Sequence, residues 1–554
     1  MSRFVVTVLS VLLCTTSHGD SATIGSSFSH EGLFRLMHAE FSLSRNQPDN
    51  ALAPYREEAR STGDPQVIER ALQIANYLQN SEAGLELAGL LSRLRPETAS
   101  VWYQTAYHAL RLQQPDAAMN AIGRLIALNP EAELEALFLS AYPSSPEGRT
   151  ALLSALDQLD SQYPKNSHLL FARALLAGEN NRFPEAIDYV RRSLALKPDS
   201  IPATLLHARL LGLNKQEKDA LDVLSNAVMK NPDSRQVNLH YARMLIKTGH
   251  PFQAESRIRQ MLPKNPNDEE LLLMHGLLAF NNKHDTEARY SLEKLVLTGE
   301  HDDEARYYLA LIARRQNNPE QAASLLNAIG PGPQYVQAMS ELSDLLVSDK
   351  RLDEARRNLA AARRGQPDQA ATLYVVEAEL LNKQNLHVEA MELLTAAIAQ
   401  HPTENLLLFS RALTADRMKN LPGFEKDMQE LLARDPGNAS YLNALGYTLA
   451  DRTQRLGEAE TYLRQAYRLK PDDPAIIDSM GWLYYRLGNV TEALEYVRKA
   501  FTLMQDEEIG THLAEILWIS GNHEEAAKVW QQLLDKKPDS DMVLKHKAKF
   551  EQKP

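Results

Sequence analysis

The sequence predicts an all-α protein, a right-handed α-solenoid of about fourteen short helical hairpins stacked in a row. Three observations predict it. Prolines recur at Pro96, Pro130, Pro164, Pro198, Pro232 and Pro266 with a constant step. Alanines keep that same step at Ala186, Ala220, Ala254, Ala288 and Ala322. The stretch from Asp473 to Ala500 reads as two helices with a sharp turn between them. The step is about 34 residues, a period at which one hairpin forms each unit and buries its apolar face only by stacking on its neighbours.

In chain order, residues 1–19 form an export segment. Arg3 gives it a positive start, and the run Phe4 to Leu13 is apolar but too short for a stable bilayer span. Two processing routes are open. One is cleavage after Gly19. The other is cleavage before Cys14 and lipidation of that cysteine; Leu13 stands where a lipidation motif usually has a small residue. Residues 20–30 are small and polar and read as a tether. An N-terminal repeat array is expected over 31–329, with Gly63-Asp64-Pro65 as its first break and Ala83 and Gly84 at a second-helix packing position. The unit at 131–150 is irregular, because Tyr142-Pro143-Ser144-Ser145-Pro146 falls where a clean turn belongs. Asn318-Pro319-Glu320-Gln321 restarts a helix with a cap, a first-position proline and a glutamine at the third.

Gly330-Pro331-Gly332-Pro333 interrupts any helix. It reads either as a tight loop or as a change of direction between two arms. A C-terminal array is expected over 334–540, with unit ends at Pro333, Pro367, Pro402, Pro436, Pro471 and Pro538. The extra residue before Pro471 is assigned to a lengthened turn at Asp451–Arg455. In the hairpin after Pro471, Asp473 caps the first helix, Pro474 suits its first position, and Gly481 permits close approach of another backbone. Gly488 and Asn489 break the chain. Asn489 with Glu492, and Asn522 with Glu525, are expected to cap the next helices reciprocally. Residues 541–554 read as a charged capping tail.

Composition excludes more than it assigns. The 554 residues carry a formal charge of -12, with 44% hydrophobic and 24% charged residues. No basic stripe favours nucleic acid. One cysteine rules out a disulfide within the chain. His523-Glu524 begins like a zinc-protease helix, but Ala527 occupies the second ligand position, so no metal site is assigned. His207, His240 and His275 read as packing or groove residues. There is no phosphate loop and no nucleophile constellation, hence no cofactor and no enzymatic activity are expected.

Function then falls to recognition by the inner face of the first helices. Counting from Pro474, the second, fifth, ninth and twelfth positions face inward: Ala475, Asp478, Trp482 and Tyr485. One unit earlier they are Ser440, Asn443, Tyr447 and Ala450. Asn443, Tyr447, Asp478, Trp482 and Tyr485 make a polar and aromatic groove suited to a peptide. Tyr307 and Arg314 hold similar offsets in an earlier unit and are a second candidate surface.

Residues 31 to 538 resemble the tetratricopeptide repeat family. A narrower resemblance rests on Tyr441-Leu442-Asn443-Ala444-Leu445-Gly446-Tyr447-Thr448-Leu449-Ala450-Asp451-Arg452-Thr453 and on Pro471-Asp472-Asp473-Pro474-Ala475-Ile476-Ile477-Asp478-Ser479-Met480-Gly481-Trp482. These runs are similar to the proteobacterial lipoproteins that bind and activate a carboxyl-terminal processing protease. The resemblance implies a periplasmic adaptor on the inner leaflet of the outer membrane, or a soluble periplasmic one if Cys14 is not lipidated. Its partners would be the protease and the peptidoglycan hydrolases that it degrades. The rival expectation is a scaffold subunit of an envelope polysaccharide or secretion complex.

Overall fold

The computed structural model of the chain describes residues 28–551, apart from 131, 142–144 and 300. The export segment with Cys14, the tether up to residue 27, Tyr142 to Ser144 and the last three residues of the tail lie outside the described residues. Among those described there are 31 α-helices and no strand. Taken in chain order they make fifteen successive pairs and one final single helix. The chain divides into two units, 1–266 and 267–554. The first holds seven pairs, from His30–Ser44 with Asp49–Thr62 to Arg235–Lys247 with Pro251–Met261. The second holds eight pairs and the last helix, Asp541–Glu551. The Gly330–Pro333 break lies within the second unit, between Pro319–Asn327 and Tyr335–Ser348. Its Gly330 amide donates to the Asp303 carboxylate at 3.2 Å.

The residue ladders work as small spacers. Ala186, Ala220, Ala254, Ala288 and Ala322 are all almost fully buried, as is Ala493. Gly481 marks one of the closest approaches. A Cβ there would lie 2.3 Å from the Val497 side chain and 3.1 Å from the Ala493 carbonyl oxygen. The irregular unit is real: Glu135–Ala141 is only 7 residues long and Pro146–Gln162 follows with 17.

Helix ends show which caps the sequence specifies. Asp473 accepts hydrogen bonds from the amides of Ala475 and Ile476 at 3.0 and 3.3 Å. Asn318 accepts from the Gln321 amide at 3.2 Å. The reciprocal caps expected at Asn489 and Asn522 do not form. Both residues end a tight turn, and neither side chain bonds the amides of the helix that follows. The Asn489 amide donates to Tyr484 O and the Gly488 amide to Tyr485 O, at 2.9 and 3.0 Å, which closes the preceding helix. Glu525 is engaged by Arg498. Asp473→Ala should therefore cost about 1 kcal/mol in local stability, while Asn489→Ala should cost almost nothing. Hydrogen exchange of the two helices in Asp473 and Asn489 variants checks this contrast.

Gly488 supplies the left-handed backbone, φ 80°, on which this turn depends. In other units Lys350 and Lys419 take the same role at φ 61° and 58°. The turn before Leu456–Leu469 departs from the expectation. It is not lengthened; the first helix is, since Ala439–Arg452 has 14 residues against 13 for Pro474–Arg486. The extra residue extends the helical ladder, where it gains a backbone hydrogen bond, and the chain leaves through extended Thr453 at φ -133°.

The charged tail forms a packed cap. Val543 and Phe550 of Asp541–Glu551 are buried, and the Phe550 ring stacks on Trp530 with centroids 6.3 Å apart.

Candidate functional site

In the second unit, first helices touch the first helices of the next pair. Ala439–Arg452 contacts Pro474–Arg486, which contacts Glu507–Ile519, which contacts Asp541–Glu551. Inward positions separated by a whole repeat therefore meet along one surface. Tyr447, Asp478, Trp482 and Tyr485 do converge there, but they meet partners from a third helix that the sequence reading did not single out.

The Tyr447 hydroxyl donates to Glu508 Oε1 at 3.3 Å and lies 3.3 Å from His512 Nε2. His512 Nδ1 is 2.7 Å from Asp478 Oδ2. The imidazole also stacks on Trp482, with centroids 4.2 Å apart and planes 23° from parallel. Trp482 Nε1 donates to Asp451 Oδ1 at 3.1 Å. The Tyr485 hydroxyl donates to Glu515 Oε1 at 3.2 Å. Glu515 Oε2 lies 3.0 Å from Nε2 of His546, whose Nδ1 accepts from Trp530 Nε1 at 3.3 Å. That second bond fixes the tautomer: His546 donates to Glu515 through Nε2.

Electrostatics follow from this packing. Burial pushes His512 down, but Asp478, with Glu508 and Glu515 beyond it, outweighs burial and holds the imidazole above its ordinary value. Burial and then Glu508 push the Tyr447 hydroxyl up. Burial and then Glu515 raise Tyr485 to about 12. For Glu515, burial acts upward, yet His546, Lys549 and Tyr485 hold it below its ordinary value. The hydroxyls stay protonated donors at neutral pH, and the arrangement presents acids and aromatic faces rather than a nucleophile.

Burial corrects one expectation. Asp478 and Trp482 are only 5% and 8% exposed, so they do not line an open groove. They form its floor because neighbouring first helices lie close enough to bond across it. Asn443 is half-buried, and its Oδ1 has no hydrogen-bond partner. The surface accessible to a partner is Tyr447, Asp451, Tyr485, Glu508 and Glu515. Tyr307 and Arg314 share the helix Asp302–Arg315 and have local partners: Tyr307 packs edge-on against Tyr308, and Arg314 pairs with Glu341.

The missed partners were within reach of the same pattern. Counting from Glu507, the second and ninth positions are Glu508 and Glu515. His512 sits one place beyond the fifth, a flank position that the offsets do not mark. His207, His240 and His275, read as packing or groove residues, are buried or half-buried. His275 is buried with Nδ1 2.8 Å from Ser291 Oγ. His240 Nδ1 lies 2.9 Å from Gln236 O. Burial lowers His207 to about 4. Among the described residues, no group of three or more His, Cys, Asp or Glu is placed to hold a metal, and no helix is long and apolar enough to cross a membrane.

Comparison with known proteins places this geometry in context. Two tetratricopeptide repeat models match, one at residues 213–278 and the other at 144–201, 273–336, 341–405, 425–474 and 479–541. A relative, TPR repeat-containing protein PA4667 of Pseudomonas aeruginosa, is 36% identical over 489 residues, covering 88% of this chain and 83% of that protein. Cellulose synthase operon protein C of Pseudomonas fluorescens is 30% identical over 145 residues, 26% of this chain but 11% of that protein. Among solved structures, the yeast Tom70 chain aligns at 13% identity over 94% of this chain and 95% of that one, with a TM-score of 0.33.

Proposed function

The chain belongs to the tetratricopeptide repeat family, and on that premise we propose that it is a non-enzymatic adaptor of the bacterial periplasm. It binds a carboxyl-terminal processing protease and presents peptidoglycan hydrolases to it. One observation carries the binding assignment: the inner surface of Tyr447, Asp451, Tyr485, Glu508 and Glu515, held over a floor of Asp478, Trp482 and His512. Aromatic side chains offer contact area at low entropic cost, and the carboxylates orient amides or cations of an extended segment. The identity of the partners rests on the runs 441–453 and 471–482. Holding protease and substrate on one array raises their effective concentration without chemistry on the array itself. The helix with Tyr307 and Arg314 offers a second, separate surface for such a pair. The adaptor is held at the inner leaflet of the outer membrane through Cys14, or is soluble after cleavage at Gly19.

Crosslinking in cells followed by mass spectrometry tests this reading. A processing protease and cell-wall hydrolases among the partners support it. Synthase or export subunits would favour the second reading, a scaffold of an envelope polysaccharide or secretion complex. The 145-residue likeness to cellulose synthase operon protein C is the observation on its side. Intact mass of protein from membranes separates acylated Cys14 from an N-terminus at Asp20.

Glu508→Gln probes the groove with little change to the core, because Glu508 is exposed and glutamine keeps an acceptor for the Tyr447 hydroxyl. Binding of the partner should weaken by at least about tenfold, or 1.4 kcal/mol, with melting unchanged. Unchanged binding, together with loss in Arg314→Glu, would move the site to the Asp302–Arg315 helix.

A further inference from the structure

The first described helix is built unlike those that follow. His30–Ser44 buries only Gly32, Ala39 and Ser42. The first helix of the next pair, Pro65–Tyr77, buries Val67, Ile68, Leu72 and Ile74 among others. Leu36 and Leu43 pack against the core, but three large apolar residues of His30–Ser44 face outward: Phe34 is 70% exposed, Met37 49% and Phe41 59%. Their spacing puts all three on one face of the helix. Exposed His30, His38 and Arg45 lie on the same face. The acid at its edge, Glu31, is paired with Arg35 at 3.7 Å. A terminal repeat of a solenoid ordinarily carries a polar outer face, which keeps the array soluble. This one carries an apolar stripe bordered by two histidines and one exposed cation, Arg45.

We propose that this face of His30–Ser44 is a seat on an anionic lipid surface. A helix of this kind lies in the plane of a bilayer, its aromatic and Met side chains in the headgroup and acyl boundary and Arg45 near a phosphate. Arg45, exposed at the end of this face, is the cation available to a headgroup phosphate. Position agrees as well. The helix begins 16 residues after Cys14, a stretch that reaches at most about 55 Å when fully extended, so any anchor in the apolar run keeps the seat close to the membrane. The inference rests on the proposed export of the chain for the identity of the membrane. It adds a second, protein-borne contact that would orient the array.

Cosedimentation of the purified full chain with phosphatidylcholine vesicles, with and without phosphatidylglycerol, tests it. The triple variant Phe34→Ser, Met37→Ser, Phe41→Ser should bind about tenfold more weakly or worse. Arg45→Glu should weaken binding only where phosphatidylglycerol is present. Leu297→Ser removes an apolar side chain that is 86% exposed in the second unit and should leave binding unchanged. All variants share the wild-type N-terminus, so differences between them read the helix. The replaced side chains are exposed, and circular dichroism should be unaltered; Arg45→Glu keeps the test alive if the triple variant misfolds. Equal vesicle binding by wild type and triple variant overturns the proposal. So does a wild-type dimer, formed without vesicles, that the triple variant reduces to a monomer, since the face would then seat a second copy. Vesicle binding and intact mass are separate readouts, so the seat and the export reading can fail independently.

Discussion

Trp530→Ala is expected to cost about 3–5 kcal/mol, the loss typical of truncating a large buried aromatic. Trp530 is fully buried and joins the last pair of helices to the final one. It sits between Trp518, at 5.5 Å between ring centroids, and Phe550, and its indole donates to His546. Truncation opens a cavity and leaves His546 Nδ1 without that donor. Because repeats are stabilised by nearest neighbours, the loss should be local. Hydrogen exchange should rise over Glu507–Ile519, His523–Lys536 and Asp541–Glu551 and stay unchanged in the first unit. Uniform loss of protection along the whole chain would contradict this account of the cap.

His512→Ala should be comparably damaging, about 3–5 kcal/mol, because removing one partner of a buried ion pair leaves the other uncompensated. Here the Asp478 carboxylate would be stranded, its Oδ1 already lacking a partner. The effect depends on pH with a definite sign. The folded value of His512 lies above its unfolded value of about 6.5. The stabilisation is therefore fully present below about pH 6.5 and is lost as pH rises through the folded value. The difference in melting between wild type and His512→Ala should be largest in mild acid and shrink in alkali. A difference that grew with pH would refute the charged pair.

How much of this was legible in the sequence differs between fold and site. The step of the prolines and alanines is set by the geometry of one hairpin, so it survives in almost every unit and predicts the helices. Gly481 and Asp473 were readable because each has one strong physical reason to be where it is. Asn489 misled, since nothing in the sequence separates it from Asn318, which follows a similar tight turn and does cap its helix. The extra residue near Asp451 could not be placed because a helix and a turn absorb it equally well in composition. At the site, Tyr447 and Tyr485 were visible from their offsets. His512 was not, because its role comes from contacts between first helices across repeats, which a pattern within one hairpin does not encode. The stripe at Phe34, Met37 and Phe41 is ordinary helical periodicity in sequence; only its exposure in the structure makes it unusual.

The central claim is that a partner segment lies along the inner surface between Ala439 and Ile519. Site-specific photocrosslinking in cells tests it most directly. A photoreactive residue at Glu508 should capture the same protein as one at Ser440. One at Lys528, on the second helix His523–Lys536, should not. Capture from Lys528 with none from Glu508 or Ser440 would contradict the claim and put recognition on the opposite helices of the array.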